Sequence, residues 1–226
     1  VRAARELSDD PQALGTVGLT LGEVLLAMRH DRFADTVLVR AESAFVRAGD
    51  QNQRHNAMHL RSLALLNQDR PAEAESLARR FVAYRRTRPG PVDLAIALMA
   101  LNRAQVKLQR PAADSSLDEA LRLLDGRVSD DHPLLLEGLN GRAVRRMAEG
   151  RDAAAESLFR RLLPLTERSL GVRHPRSITV RNNLGTSLFR QERYADAERE
   201  FRRVVEDRRA VLGPEQGERQ RQPERG

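Results

Sequence analysis

The chain has 226 residues, 40% of them hydrophobic and 31% charged, with a formal net charge of +7, but only 4% aromatic residues and neither tryptophan nor cysteine. The missing cysteine excludes disulfides, thiolate-bound zinc and thiol catalysis, and so few aromatics leave a core of Leu, Ala and Val. Good helix formers dominate over β-branched and aromatic types, which predicts an all-α protein.

No apolar run reaches the length of a membrane span, because the most hydrophobic stretch, 94–101, stops at Asn102-Arg103. All basic residues but Lys107 are arginine, a bias that a GC-rich genome explains better than selection for nucleic acid.

In chain order, residues 1–11 read as a lead, either the end of an incoming helix or a flexible approach. A first hairpin of helices is expected over 12–48, where "RHDRFADTVLVRAESAF" (29–45) is a degenerate copy of the later hairpins. In 51–87, "NQDRPAEAESLARRF" supplies a tight turn and a second helix, with Pro71 at a helix start, where a missing N–H costs nothing. "KLQRPAADSSLDEAL" does the same for 91–126, led by Pro111. In 132–171, Asp130-Asp131 offer acceptors ahead of His132-Pro133, and Gly171 is placed to end the second helix in a left-handed conformation.

The fifth hairpin, 174–213, is the most regular. Val180, Leu184 and Leu188 step by four, while Tyr194, Ala197, Phe201 and Val204 step by three or four, so each set forms one apolar stripe. "RQERY" (190–194) leaves room only for a tight turn. Gly213 is the counterpart of Gly171, and residues 214–226 are polar without periodicity, hence expected to be disordered.

The fourth and fifth hairpins match at one offset of forty-two residues. Glu156 aligns with Glu198, Phe159 with Phe201, Arg160-Arg161 with Arg202-Arg203, Leu170-Gly171 with Leu212-Gly213, and Asn140 with Asn182. A fixed period of this size is the mark of a repeat architecture.

The pattern Asn183-Leu184-Gly185, Leu188, Tyr194, Ala197-Glu198, Phe201 and Leu212-Gly213-Pro214 resembles the tetratricopeptide repeat, in the forty-two-residue variety of kinesin light chains and many bacterial proteins. The resemblance covers 132–213 best, 51–126 less well and 12–48 least. It implies a right-handed α-α superhelix of about five hairpins, with Gly185 and Ala197 at small positions that let a hairpin close and Leu188 and Phe201 at large ones. Asp152 stands where Tyr194 stands, Ser62 and Asn102 stand at the small position, and Gln216 replaces a histidine. "RELSDDPQALGTVGLTLGEVLLAM" (5–28) also resembles the lead-in to repeats appended to bacterial serine/threonine kinases.

Catalysis needs convergent groups, and none stands out: there is no phosphate loop, no nucleophile elbow and no paired acidic motif. His55 and His59 lie four apart on a helix, but no third ligand accompanies them, so no metal and no cofactor are expected. Pairs such as Glu156 with Arg160 and Glu198 with Arg202 read as a solvated outer face.

Two ladders at the forty-two-residue interval remain, Asn56/Asn140/Asn182 and Arg61/Arg103/Arg145, and residues one repeat apart stack along a solenoid. The resemblance implies that Asn140, Asn182 and neighbouring Asn183 hold the main chain of an extended peptide in a concave groove. The Arg ladder would attract acidic segments, although a solvated edge or inter-repeat salt bridges explain it more simply. The expected function is a non-catalytic protein- or peptide-binding scaffold, cytoplasmic and bacterial by the resemblance. A regulatory region of a larger kinase or transcriptional regulator is one alternative, and nucleic-acid binding by basic helices is another.

Overall fold

Most of the helices begin where the sequence offers an acceptor for the first free N–H groups or a proline that lacks one. In the computed structural model, which describes residues 10–110 and 112–212, the Asp10 carboxylate accepts from Gln12 N at 2.8 Å and that of Asp50 from Gln53 N at 3.0 Å. Pro11, Pro71, Pro91, Pro133 and Pro175 each open a helix. At the last two the cap is an imidazole, with His132 Nδ1 accepting from Leu134 N at 3.3 Å and His174 Nδ1 from Arg176 N at 3.1 Å. The capping acceptor is thus His132 itself rather than Asp130 or Asp131. Pro111, Gly213 and the segments expected as lead (1–9) and disordered tail (214–226) lie outside the described residues.

The described residues form ten α-helices and no strand: α1 (Pro11–Ala27), α2 (Asp31–Ala48), α3 (Gln51–Asn67), α4 (Pro71–Arg86), α5 (Pro91–Lys107), α6 (Ala113–Leu124), α7 (Pro133–Ala148), α8 (Asp152–Leu170), α9 (Pro175–Arg190) and α10 (Tyr194–Leu212). They divide between two compact units, residues 1–125 and 126–226. In the first, α1/α2, α3/α4 and α5/α6 pair as hairpins, α2 meets α3 and α4 meets α5. In the second, α7/α8 and α9/α10 pair and α8 meets α9. First helices also touch one another, α1 with α3, α3 with α5, and α7 with α9. The all-α hairpin fold expected from the sequence is the one observed.

All five hairpin turns share one geometry. A single residue with positive φ follows the first helix (Arg29, Asp69, Gln109, Gly150 and Glu192). The next residue's N–H then reaches back over the last turn: His30 to the Leu25 carbonyl at 2.8 Å, Arg70 to Leu65 at 2.9 Å, Arg110 to Gln105 at 2.8 Å, Arg151 to Arg146 at 2.9 Å and Arg193 to Leu188 at 3.1 Å. This closure satisfies a helix-terminal carbonyl that would otherwise lack a donor. It also fixes a common register, in which successive turns lie forty, forty, forty-one and forty-two residues apart.

In that register Gly22, Ser62, Asn102, Ala143 and Gly185 are one position, where the second helix approaches most closely. A Cβ on Gly185 would lie 2.7 Å from the Phe201 ring, and one on Gly22 would press still harder on Leu38. Ser62 and Asn102 fit because their polarity is consumed locally. The Ser62 hydroxyl donates to the His59 carbonyl at 2.6 Å, and Asn102 Nδ2 to the Ala113 carbonyl at 2.7 Å.

The cores are aliphatic with a few rings: Leu38, Phe45, Met58 and Leu65 in the first unit, Leu136, Phe159, Leu162 and Leu188 in the second, all essentially sealed. Each such side chain contributes about 1.5–3 kcal/mol on burial.

Three expectations need correction. Tyr194 is 58% exposed and meets Phe189 edge-on rather than joining the buried stripe of Ala197 and Val204. Gly171 has φ 98 and ψ 151, a positive-φ extended conformation rather than a left-handed helical one. Glu156 is buried, not part of a solvated face. It receives Arg160 at 2.5 Å, Arg193 at 2.6 Å and Gln191 at 2.8 Å, the last two from the following hairpin. Burial pushes its carboxyl up, but the bonds from Gln191 and Arg193 outweigh that and hold it below its ordinary range.

Candidate functional site

A first helix has one face against its own second helix and one against the preceding hairpin, and the remaining face can meet a ligand. The turn register shows which residues are equivalent along the first helices. Asn140 on α7 and Asn182 on α9 are equivalent, and counting back from the turns their counterparts are His59 on α3 and Met99 on α5. Asn56 is not in this row. Its Nδ2 donates to Gln53 Oε1 at 3.0 Å and its Oδ1 accepts from Arg85 at 3.1 Å.

Asn140 has a feature that packing does not explain, because its Oδ1 is buried and accepts from nothing. An amide oxygen left so costs about 1–3 kcal/mol, so the position is poised for a donor. Asn182 and Asn183 are half-buried beside it in sequence register, on the helix that touches α7. The same row in the first unit repeats the feature with different chemistry, for His59 Nδ1 is also buried without a partner. Its ring tilts over Phe81 at 5.4 Å, and burial, with Arg103 and Arg85 adding repulsion, lowers its pKa to about 4. It is therefore a neutral imidazole at physiological pH.

Next to it lies an aromatic and cationic cluster. Tyr84 is stacked between the His55 ring at 3.6 Å and the Arg88 guanidinium at 3.7 Å, and His55 Nδ1 donates to the Gln51 carbonyl at 2.6 Å. His55 is thus held for stacking rather than for a shared metal with His59. Among the described residues no group of three or more His, Asp or Glu is arranged to hold a metal ion.

The arginine ladder does not survive the register. Because the repeats are forty to forty-two residues long, Arg61, Arg103 and Arg145 fall at three different positions. Arg61 is spent on the preceding hairpin, binding Asp35 at 3.1 Å and Glu42 at 2.6 Å, and Arg145 pairs with Glu149 at 3.2 Å on its own helix. Residues 140 and 182 were legible because the last two repeats are both about forty-two long. His59 was missed because the same interval counted further back points to Asn56 and slips past it.

Residues 135–210 match the family model described as tetratricopeptide repeat. This stretch belongs to the tetratricopeptide-repeat family. No curated protein matches the chain in sequence. Among solved structures, BtubC (BKLC) from P. vanneervenii is similar at a TM-score of 0.77 and 16% identity, over 94% of this chain and 87% of that one. The kinesin light chain of Podosopora anserina with nearly identical TPR-like repeats gives 0.70 and 16%, over 90% and 98%. The apo form of RapI gives 0.66 and 13%, over 93% and 89%. At such identities the likeness establishes the fold, a stack of tetratricopeptide-like hairpins.

Proposed function

We propose that this chain is a non-catalytic scaffold that holds an extended segment of a partner protein across its first helices, with Asn140 and Asn182 gripping the partner's main chain. The observation that carries this reading is the buried, unpartnered Asn140 Oδ1 on a repeat whose neighbour presents the same amide in the same register. A peptide N–H is the donor such an oxygen lacks, and two amides one repeat apart match a ligand that runs along the stack. The tetratricopeptide fold suits such a role, and the kinesin light chain and RapI are similar in fold.

The acid-attracting strip assigned to Arg61, Arg103 and Arg145 is not part of this proposal, since those residues hold three different positions in the turn register. In the first unit the same row passes through neutral His59 and through Met99, which is buried in the core.

Affinity capture from lysate at low and high salt, with and without nuclease, tests the reading. A discrete protein is expected to survive both treatments and to be lost from the Asn140→Ala/Asn182→Ala variant while its helical content stays unchanged. Capture of nucleic acid released by salt, or a partner indifferent to both substitutions, would overturn it.

A further inference from the structure

Every boundary between successive hairpins within a unit is built from the same few positions. At its centre, the residue eight before the positive-φ turn on the incoming first helix corresponds by register to the residue thirteen after the preceding turn on the outgoing second helix. Where the first is Arg61 the second is Glu42, bonded at 2.6 Å. Where it is Leu101 or Leu184, the counterpart is Val82 or Leu163, all buried. At its edge, a basic residue just after the incoming turn reaches an acid on the outgoing helix: Arg70 to Asp35 at 3.5 Å, Arg110 to Glu75 at 3.6 Å, Arg193 to Glu156 at 2.6 Å.

Two faces carry these positions uncovered. On α1 the central residue is Leu21, 45% exposed, flanked by Val17 and Val24 at 54% and 48%. Their equivalents Ala57, Ala64, Ala97, Ala104 and Val180 are sealed inside boundaries. On α10 the central residue is Val205, 46% exposed, beside half-buried Phe201. Here a shallow cavity of about 530 Å³ opens between Phe189, Tyr194, Phe201 and Val205. The edge acid is Glu198, largely exposed and paired with Arg202 on its own helix. The residue of α1–α2 equivalent to Arg70, Arg110 and Arg193 is His30, with the turn residue Arg29 beside it.

We propose that these two faces bind each other between copies, the α1–α2 hairpin of one molecule docking on the α9–α10 hairpin of another. The central pair would be Leu21 with Val205, of the apolar class found at Leu101/Val82 and Leu184/Leu163 and not the Arg61/Glu42 class. The edge pair would be His30 with Glu198, a basic residue against an acid as at the internal boundaries, with Arg29 next to it. Exposed apolar stripes of this kind are where soluble proteins associate, and a head-to-tail contact between unlike faces leaves one of each free, so assembly continues.

Sedimentation velocity over a range of protein concentrations tests this. The unmodified chain is expected to form species that grow beyond dimers. Leu21→Glu and Val205→Glu, both at exposed sites and checked for unchanged helicity, are each expected to remain monomeric alone. Mixed, they are expected to give a one-to-one dimer, because each retains one intact face, and Val17→Glu is expected to behave as Leu21→Glu. A monomer at every concentration, whether because another segment covers these faces or because they do not attract, would overturn the proposal. So would a dimer that both variants leave intact, or a mixture that stays monomeric.

Discussion

The position held by Met58 and Leu98 in the first unit is held by Leu139 and Arg181 in the second, and all four are buried. In the first three places an aliphatic side chain fills the space between helices. In the fourth, a guanidinium is sealed in and bound by Glu167 of α8 and by Glu200 of α10, the latter at 3.0 Å. This repeat therefore specifies shape at a core position but not polarity. A charge is admitted when neighbouring helices bring two carboxylates to meet it, at a desolvation cost that an apolar residue of like size avoids.

Breaking the charged version should have the largest effect. Arg181→Ala leaves two carboxylates facing each other over a void and should destabilise the second unit by about 3–5 kcal/mol. Arg181→Met, which copies Met58, should cost distinctly less. Urea unfolding read by hydrogen exchange in each unit would check both, and equal losses for the two variants would show that the ion cluster is not what holds the position.

Next comes the closing point of the hairpin. Gly185→Leu must displace the Phe201 ring and should cost about 1–3 kcal/mol or more. Ala143 fills the same position in the preceding hairpin, so Gly185→Ala should cost far less. A thermal midpoint unchanged by Gly185→Leu would mean that the turn register does not place this residue at the closing point.

The smallest effect separates the two versions of the unpartnered row. His59 has a folded pKa of about 4 and an unfolded value of about 6.5, so the unfolded chain takes up the proton first as pH falls. Its contribution is therefore complete above about pH 6.5 and is lost progressively towards pH 4. Between pH 7 and 5 that loss amounts to about 2 kcal/mol. His59→Met, which copies Met99, should remove that part of the pH dependence, while Asn140→Ala should leave it in place. Parallel pH profiles for the parent chain and His59→Met would refute the assignment.

Much of this fold was legible in local sequence. Helix-starting prolines, the apolar stripes of α9 and α10 and the match between the last two repeats are local properties, and local rules decide them. The equivalence of Asn140 and Asn182 was legible because the turns of their two hairpins lie forty-two residues apart. The Arg ladder and Asn56 were misplaced because a fixed interval was carried into repeats that are one or two residues shorter, and nothing in the local pattern marks where those residues were lost. The turns mark it through positive φ at Arg29, Asp69 and Gln109. None of these is a glycine, and only Asp69 is of a type that favours a left-handed backbone.

That the chain would form paired helices, and where most of them start, was written in the order of its amino acids, because capping, proline geometry and apolar period act over a few residues. Which residues became equivalent, the burial of Glu156 and Arg181, and the exclusion of Tyr194 from the core were settled by packing in three dimensions. Those outcomes depend on which neighbour supplies a counter-charge or a covering face, and a partner a whole repeat away in sequence leaves no local trace.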